Sequence, residues 1–335
     1  MEVAREVAEF VGAARRSLDL AQYDFNLGPE TREVVGGALK EAAARGVAVR
    51  IVYNVDHARP IPVPPPPEPD VQLISSLGVP ARAIAGVPDL MHHKFVIRDG
   101  ESVWSGSTNW TDDSWSRQEN VIVGVDSPEL ARAFALNFEE LWSGGDVERS
   151  GFVEPRPVEA DSVRVRAWFT PGFADALTHR IAKKLGRAQR VRICSPVLTS
   201  APVLATLAQR IADGKGDIAG CVDATQVDEV FRQWETQESV AWKIPLLRQV
   251  LAGSFSGKNS TPWAPGSLHD FMHAKIVAAD DTVFVGSFNL SHSGEKNAEN
   301  VLEIADAELA GRLSAFVDEV RRRYPAYGSQ ADSAA

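Results

Sequence analysis

The sequence predicts an α/β fold built twice, with a largely mixed or parallel sheet in each half. Three observations carry that expectation. At 335 residues the chain is long for one core, and a prior of about one domain per 150 residues points to two. Strand-like runs alternate with helical patterns along each half. A block in the first half recurs in the second, and this internal duplication organises the chain.

The elements follow in matched order. The opening MEVAREVAEFVGAARRSLDL reads as an amphipathic helix with acidic residues mixed in. The first half continues through the strand SLDLAQYDF, the helix TREVVGGALKEAAARG and the strand VAVRIVYNV. The second half runs through RVRICSPVL, APVLATLAQRIADGKG and DIAGCVDAT. Each half then carries a motif-bearing hairpin, described below, and closes on a helix, PELARAFALNFEELW or AELAGRLSAFVDEVRRRY. The boundary falls in SGGDVERSGFVEPRPVEADS, a charged stretch bearing Gly and Pro. This assigns residues 1–150 to a first domain and 160–327 to a second, with 328–335 as a disordered tail.

Two segments break the repeat. ARPIPVPPPPEPD in the first half favours polyproline II and reads as a stiff surface connection or a recognition loop. The second half inserts a helix-sized stretch around VDEVFRQWETQESVAWKIPLLRQVL, which either walls the site or simply packs.

Composition narrows the class. With 44% hydrophobic and 24% charged residues, the chain can bury a sizeable core in water. The formal charge of −10 leaves no chain-wide basic footprint for nucleic acid, although a local basic groove remains open. Cys194 and Cys221 sit in apolar strand-like runs without zinc spacing and read as buried, reduced thiols. No stretch approaches the roughly 18 apolar residues of a membrane span. The N-terminus lacks a signal peptide's basic start and apolar core, so the expected location is cytoplasmic, with peripheral membrane contact allowed.

The repeated block carries the chemistry. MHHKFVIRDGESVWSGSTNW begins at Met91 and MHAKIVAADDTVFVGSFNL at Met272. Both read His-x-Lys, four residues, Asp, a short run, then Gly-Ser-x-Asn. His92 and His273 lie 181 residues apart, and Asn109 and Asn289 lie 180 apart. The second copy is one residue shorter between Asp and Gly, which a hairpin turn tolerates. Glu119 and Glu299 each follow their Asn by 10 residues and open the similar runs ENVIVGVD and ENVLEIAD.

Alternation along a strand puts His92 and Lys94 on one face, and likewise His273 and Lys275. Ser107 shares a face with Asn109, and Ser287 with Asn289. Gly106 and Gly286 allow close backbone approach. Two such hairpins facing each other supply a nucleophile, an acid and a set of donors for a phosphoryl group. Asp99 and Asp280 fall on the opposite face, in or beside a tight turn, and read as structural. Glu119 and Glu299 are better partners for the histidines, because a carboxylate fixes the imidazole tautomer and stabilises its cation. An isolated histidine on a strand is ordinarily structural. A duplication without retained chemistry need not keep His, Lys, Asn and Glu in both copies. His93 alternates away from the site, and a His92–His93 metal site lacks helical spacing and carboxylates. His57, His179, His269 and His292 have no matched counterpart. Trp110, Trp115 and Trp263 read as core or rim.

The doubled HxK(x)4D…GSxN pattern resembles the phospholipase D superfamily, and the repeat covers nearly the whole chain. The first copy looks especially like the small bacterial endonucleases and the mitochondrial cardiolipin hydrolase branch, which carry one motif per chain and dimerise. The resemblance implies a monomer of two similar α/β/α sandwich domains related by a pseudo-twofold, with the active site at the seam. It implies metal-independent, cofactor-free catalysis in two steps. His92 attacks phosphorus to form a phosphohistidine, and His273 serves as acid and then base. The near symmetry leaves these two roles interchangeable. Lys94, Lys275, Asn109 and Asn289 would hold the nonbridging oxygens, with Ser107 and Ser287 as secondary donors. Glu119 and Glu299 would orient His92 and His273.

The partner is a phosphodiester, and two substrate classes compete. A phospholipid suits the acidic chain and an apolar rim such as LLRQVLAGSF. An endonuclease fits the motif resemblance and a local groove from Arg15, Arg16, Lys183, Lys184 and Arg187. An inactive binding protein is disfavoured by intact motifs in both halves. The expectation leans to phospholipid hydrolysis or transphosphatidylation.

Overall fold

The computed structural model describes residues 1–56, 69–160, 163–262 and 267–329. The Pro-rich loop expectation (residues 57–68, including His57), Trp263 and tail residues 330–335 lie outside the described residues. Gly328 and Ser329, assigned above to the tail, instead complete a turn in which the Ser329 amide donates to the Ala326 carbonyl at 3.1 Å.

The first sheet is built from β1 (Ser17–Gln22), β2 (Ala48–Val55), β3 (Ala81–Ala85), β4 (Lys94–Arg98), β5 (Ser102–Gly106) and β6 (Ile122–Asp126). Its spatial order is β3-β2-β1-β4-β5-β6. The second sheet comprises β7 (Pro157–Ala160), β8 (Val163–Thr170), β9 (Arg190–Cys194), β10 (Asp217–Asp223), β11 (Phe255–Lys258), β12 (Ile276–Ala279), β13 (Thr282–Gly286) and β14 (Glu299–Ala305). Its order is β11-β10-β9-β12-β13-β14-β8-β7. The shared core of both sheets is a parallel pair joined by a helix, β1/β2 and β9/β10, continued by an antiparallel meander. Both sheets are therefore mixed, and each repeats the other's topology. The second adds two strands, β7 and β8, beyond β14.

Three apolar clusters set the layers. One packs Val7, Val11, Leu39 and Leu73 on the outer face of the first sheet, and another packs Leu177, Leu204 and Leu247 on the outer face of the second. The third spans the seam. It joins Phe95, Phe134 and Phe138 to Phe169, Met272 and Val317 in one continuous core. The closing helices Pro128–Gly144 and Ala307–Arg323 both contribute to it. Ser127 and Asp306 cap their N-termini, accepting from the amides of Leu130 and Leu309. Burying one face of both sheets against each other removes a large apolar area from water at ~25 cal/mol per Å², which holds the two halves together.

The insertion folds as three helices, Ala224–Glu235, Glu238–Ala241 and Lys243–Leu251. Leu247, Val250 and Leu251 enter the outer core of the second sheet. Lys243 Nζ donates to the Thr199 carbonyl at 3.0 Å, and Trp242 stays exposed. Cys194 and Cys221 are buried, unbonded neighbours on β9 and β10.

Asp99 and Asp280 form the far turns of the β4–β5 and β12–β13 hairpins, with φ of 58° and 53°. Asp tolerates this left-handed region better than most residues. The Asp99 carboxylate accepts the amides of Arg15, Arg16 and Ser17, and Asp280 accepts those of Gln189 and Arg190. Each aspartate thus ties its hairpin to the start of β1 or β9. Both point away from the opposite, motif-bearing ends of the hairpins.

Candidate active site

The His-x-Lys segments approach the site as extended chain rather than as sheet. β4 begins only at Lys94, and β12 begins after Lys275. The Ser-x-Asn segments likewise lie just past the strands, since β5 and β13 end at Gly106 and Gly286. Main-chain anchors fix them instead. The Met91 amide donates to Asn54 Oδ1 and the Met272 amide to Asp223 Oδ2, each at 3.0 Å, from the ends of β2 and β10. Across the seam, the His92 amide donates to the Ala298 carbonyl at 2.9 Å and the His273 amide to the Glu119 carbonyl at 3.1 Å. Each histidine is therefore held by the other half of the chain. A Cβ on Gly106 or Gly286 would sit 2.1 Å from the carbonyl of Val121 or Asn300, so both positions need glycine.

Both histidines feel the charges of Lys94 and Lys275, and His92 also feels His273, so the four groups form one buried cluster. Lys94 Nζ donates to the His92 carbonyl and Lys275 Nζ to the His273 carbonyl, both at 2.7 Å. Neither ammonium has a carboxylate within ion-pair distance among the described residues, though both are almost fully buried. Burial lowers both; Lys94 falls to about 7. Glu299 and Asp24 work the other way on Lys94, but burial wins. Asn109 and Asn289 are buried, and their Oδ1 atoms have no partner among the described residues. Two buried ammonium groups without an ion-pair partner among the described residues make a site suited to an anion.

The carboxylates depart from the expected symmetry. Glu299 Oε2 lies 2.8 Å from His92 Nδ1, so the first-half histidine is oriented by the second-half glutamate. Burial raises Glu299 to about 8, against the pull of Lys94, Ser287 and Lys275. Burial, then Lys94 and Lys275, hold His92 below its ordinary value. Both partners are pushed toward their neutral forms, so the pair shares one proton across the Nδ1 contact, and a positive His92 ring would be met by an ionised Glu299.

Glu119 does not orient either histidine. Its carboxylate takes Lys258 Nζ at 2.8 Å and the Tyr324 hydroxyl. His273 Nδ1 instead meets Asn120 Oδ1 at 3.2 Å. The cause is a one-residue difference in chain length after the short helices Asp112–Ser116 and His292–Lys296. Gly106 pairs with Ile122, whereas Gly286 pairs with Val301. Asn120 therefore occupies the place of Glu299, and the identical Glu-Asn-Val letters are out of step in space. Side chains alternate along extended chain, so a slip of one residue turns Glu119 to the other face.

The two serines differ for the same reason. Ser107 Oγ donates to Asn120 Oδ1 at 2.7 Å and accepts the Val121 amide, while Ser287 Oγ accepts the Asn300 amide at 3.0 Å. Both hydroxyls brace the segments beside the histidines. His93 is fully buried in the seam between Phe95 and Phe169, with Asn300 Nδ2 at 3.1 Å from its Nδ1. Among the described residues no three His, Cys, Asp or Glu side chains converge as a metal site. His269 stacks on Phe271, and Trp110 and Trp115 are buried in the first outer core.

Two site residues were not singled out from the sequence. The Tyr23 ring lies edge-on to His92, centroids 4.5 Å apart, and Lys94 Nζ sits 4.6 Å above it. Asp24 is 2% exposed, its Oδ1 has no partner among the described residues, and burial raises it despite Lys94. The signal was available. YDF follows the C-terminal end of a parallel strand, where α/β sheets gather ligand groups.

The description "Cardiolipin synthase, PLD-like domain" matches residues 7–142 and again 181–321. The chain belongs to this phospholipase D-like family. Human mitochondrial cardiolipin hydrolase is 30% identical over 165 residues, 47% of this chain and 60% of that protein. A phospholipase D of Rickettsia bellii is 30% identical over 138 residues, 39% of this chain and 60% of that protein. The chain thus spans less than two thirds of the length of these relatives. Phosphatidylserine synthase of Haemophilus influenzae superposes with a TM-score of 0.65 at 12% identity, over 96% of this chain and 84% of that one. That likeness covers both halves of the phospholipase D-like chain and shows that they share the fold of a solved structure.

Proposed function

We propose that the chain is a metal-independent phosphodiesterase that works through a phosphohistidine. The observation that carries this reading is the seam cluster itself. Two neutralised histidines and two buried ammonium groups share one cluster, and neither ammonium has a carboxylate within ion-pair distance among the described residues. A phosphodiester supplies that anion. The anionic substrate brings His273 into its cationic form by uptake of a proton from solvent; His92 Nε2 then attacks phosphorus, and the bond to the leaving oxygen breaks as that oxygen takes the proton from His273 Nε2. Water or an alcohol then loses a proton to His273 and attacks phosphorus. The P–N bond breaks and its electron pair returns to His92. Lys94, Lys275, Asn109 and Asn289 hold the nonbridging oxygens throughout.

The substrate class we favour is a phospholipid. The relatives are named for cardiolipin and phospholipid chemistry. Exposed Val87 and Leu268 each precede a motif histidine by five residues, so each half carries an apolar side chain in the segment leading into its motif. No described helix is long and apolar enough to cross a membrane. The basic residues proposed for a nucleic-acid groove lie elsewhere. Arg16 is spent on Asp99 and Glu101, and Lys183, Lys184 and Arg187 surround the Asp280 turn. That turn is at the opposite end of the hairpin from Lys275, about 15 Å away at ~3.3 Å per residue.

The test is turnover in EDTA on cardiolipin or phosphatidylcholine vesicles beside single- and double-stranded DNA, with His92→Asn as control. Histidine-dependent release of headgroup or phosphatidic acid is expected. Histidine-dependent cutting of DNA alone would make the chain a nuclease, and dependence on a divalent ion would overturn the metal-independent mechanism.

A further inference from the structure

We propose that Asn120 is the positioning residue for His273, and that it makes the two histidines chemically unequal. The inference rests on the phosphodiesterase reading for its meaning but not for its geometry.

The orientation of the Asn120 amide follows from atoms that can only accept. Asn120 Nδ2 donates to the Ser114 carbonyl at 3.1 Å and to Gln118 Oε1 at 3.2 Å. Gln118 cannot be turned round, because its own Nε2 donates to the His269 carbonyl at 3.1 Å. Both chains end on main-chain carbonyls, which have no proton to give. Asn120 Oδ1 is therefore the atom that faces Ser107 Oγ and His273 Nδ1. An amide oxygen only accepts, so His273 Nδ1 carries the proton and Nε2 is the exchanging atom.

The consequence is a difference in charge tolerance. His92 has a carboxylate at 2.8 Å, and a positive ring there has a compensating partner. The ring of a phosphohistidine is positive, so His92 is the half of the site fitted to carry the phosphoryl group. His273 has the Asn120 amide and the Ser107 main chain as partners but no carboxylate among the described residues, in a buried setting with two ammonium groups nearby. Its cation forms only when the anionic substrate arrives, and it returns readily to neutral. That behaviour suits a proton shuttle. The extra residue after the helix Asp112–Ser116 thus breaks the symmetry that the duplicated motif would otherwise impose.

The test follows the ring nitrogens of His273 by NMR in the full chain, without substrate, while pH is varied. In the unaltered chain the neutral ring protonated at Nδ1 is expected to persist through neutral pH. Asn120→Asp, nearly isosteric, places a carboxylate where Glu299 stands in the other half. It is expected to raise the His273 titration by about 1–3 pH units. With substrate, the loss of kcat/KM on the alkaline side should move upward in the same variant, because an acid with a higher pKa stays protonated longer. Asn120→Ala should lower kcat at least tenfold with KM within about twofold. Glu119→Gln should leave the His273 titration where it was. A His273 titration that ignores Asn120→Asp, or that moves with Glu119→Gln instead, would overturn the assignment. The titration needs no turnover, so a chain inactive on every phosphodiester would sink the functional reading and leave this one standing.

Discussion

Glu299→Gln separates catalysis from stability, because the structure asks the carboxylate to be costly and useful at once. Glu299 is 0% exposed and lies 2.8 Å from His92 Nδ1. When His92 becomes a phosphohistidine, its ring turns positive beside that carboxylate. At ~4 Å between charges and an effective dielectric of about 20, the attraction is about 4 kcal/mol. An amide keeps part of it as a dipole. The expected loss in single-turnover phosphoenzyme formation is on the order of 10²- to 10³-fold, at 1.36 kcal/mol per decade. Stability moves the other way. Burial raises Glu299 from 4.5 to about 8, so between those values the folded chain holds a proton that the unfolded chain has released. Stability therefore falls as pH rises through that window, by an amount of order 4 kcal/mol, and glutamine does not titrate. The variant's thermal midpoint, relative to the unaltered chain, is expected to gain several degrees between pH 5 and pH 9. Rapid-quench trapping of phosphoenzyme and melting curves at the two pH values measure both effects. A variant equally destabilised at both values, with activity lost only in proportion to unfolding, would show Glu299 to be a packing partner and refute this account.

Three further outcomes are expected. His92→Asn and His273→Asn should each lower turnover by more than about 10³-fold, since one composite site needs both; half-activity in each would mean two independent sites. KM should rise as pH passes about 7, where the buried Lys94 ammonium loses its proton. Lys94→Arg should flatten that rise, because guanidinium stays charged, and an unchanged profile would place the titration elsewhere. Gly286→Ala should cost more than about 2 kcal/mol in denaturant unfolding, because its Cβ would meet the Asn300 carbonyl at 2.1 Å. A neutral effect would mean that β13 and β14 part freely.

The architecture was legible because it is written in periodicity. The strand runs from Ser17, Ala48, Arg190 and Asp217 and the closing helices at Pro128 and Ala307 formed where the patterns place them. The insertion after Asp223 is helical, in three pieces rather than one. Less legible was where strands stop. His92 and Lys275 sit outside the sheets because bonds across the seam, to Ala298 and Glu119, replace ladder bonds within each half. Such bonds depend on how the halves dock, which a local pattern does not encode. Tyr23 and Asp24 escaped notice for a related reason. They have no counterpart in the repeat, since Val197 and its neighbours occupy the matching strand end.

The glutamates show how a true repeat misleads. Glu119 and Glu299 share their distance from Asn, their neighbours and the strand they precede, and every letter supports equivalent roles. Space disagrees because β14 is held by β8 from Glu299 onward and by β13 from Val301 onward. β6 is an edge strand and begins only at Ile122. The chain after Ser116 therefore takes one more residue before joining its sheet, and Asn120 arrives where a carboxylate was expected. The displaced Glu119 finds Lys258 and Tyr324, so it ties β11 and the C-terminal segment to the first half. A duplicated enzyme of this kind needs one nucleophile and one acid rather than two of each. The added strand β8 holds Glu299 in register while Glu119 has no matching partner strand, and under the proposed mechanism that difference would let one motif specialise for each role.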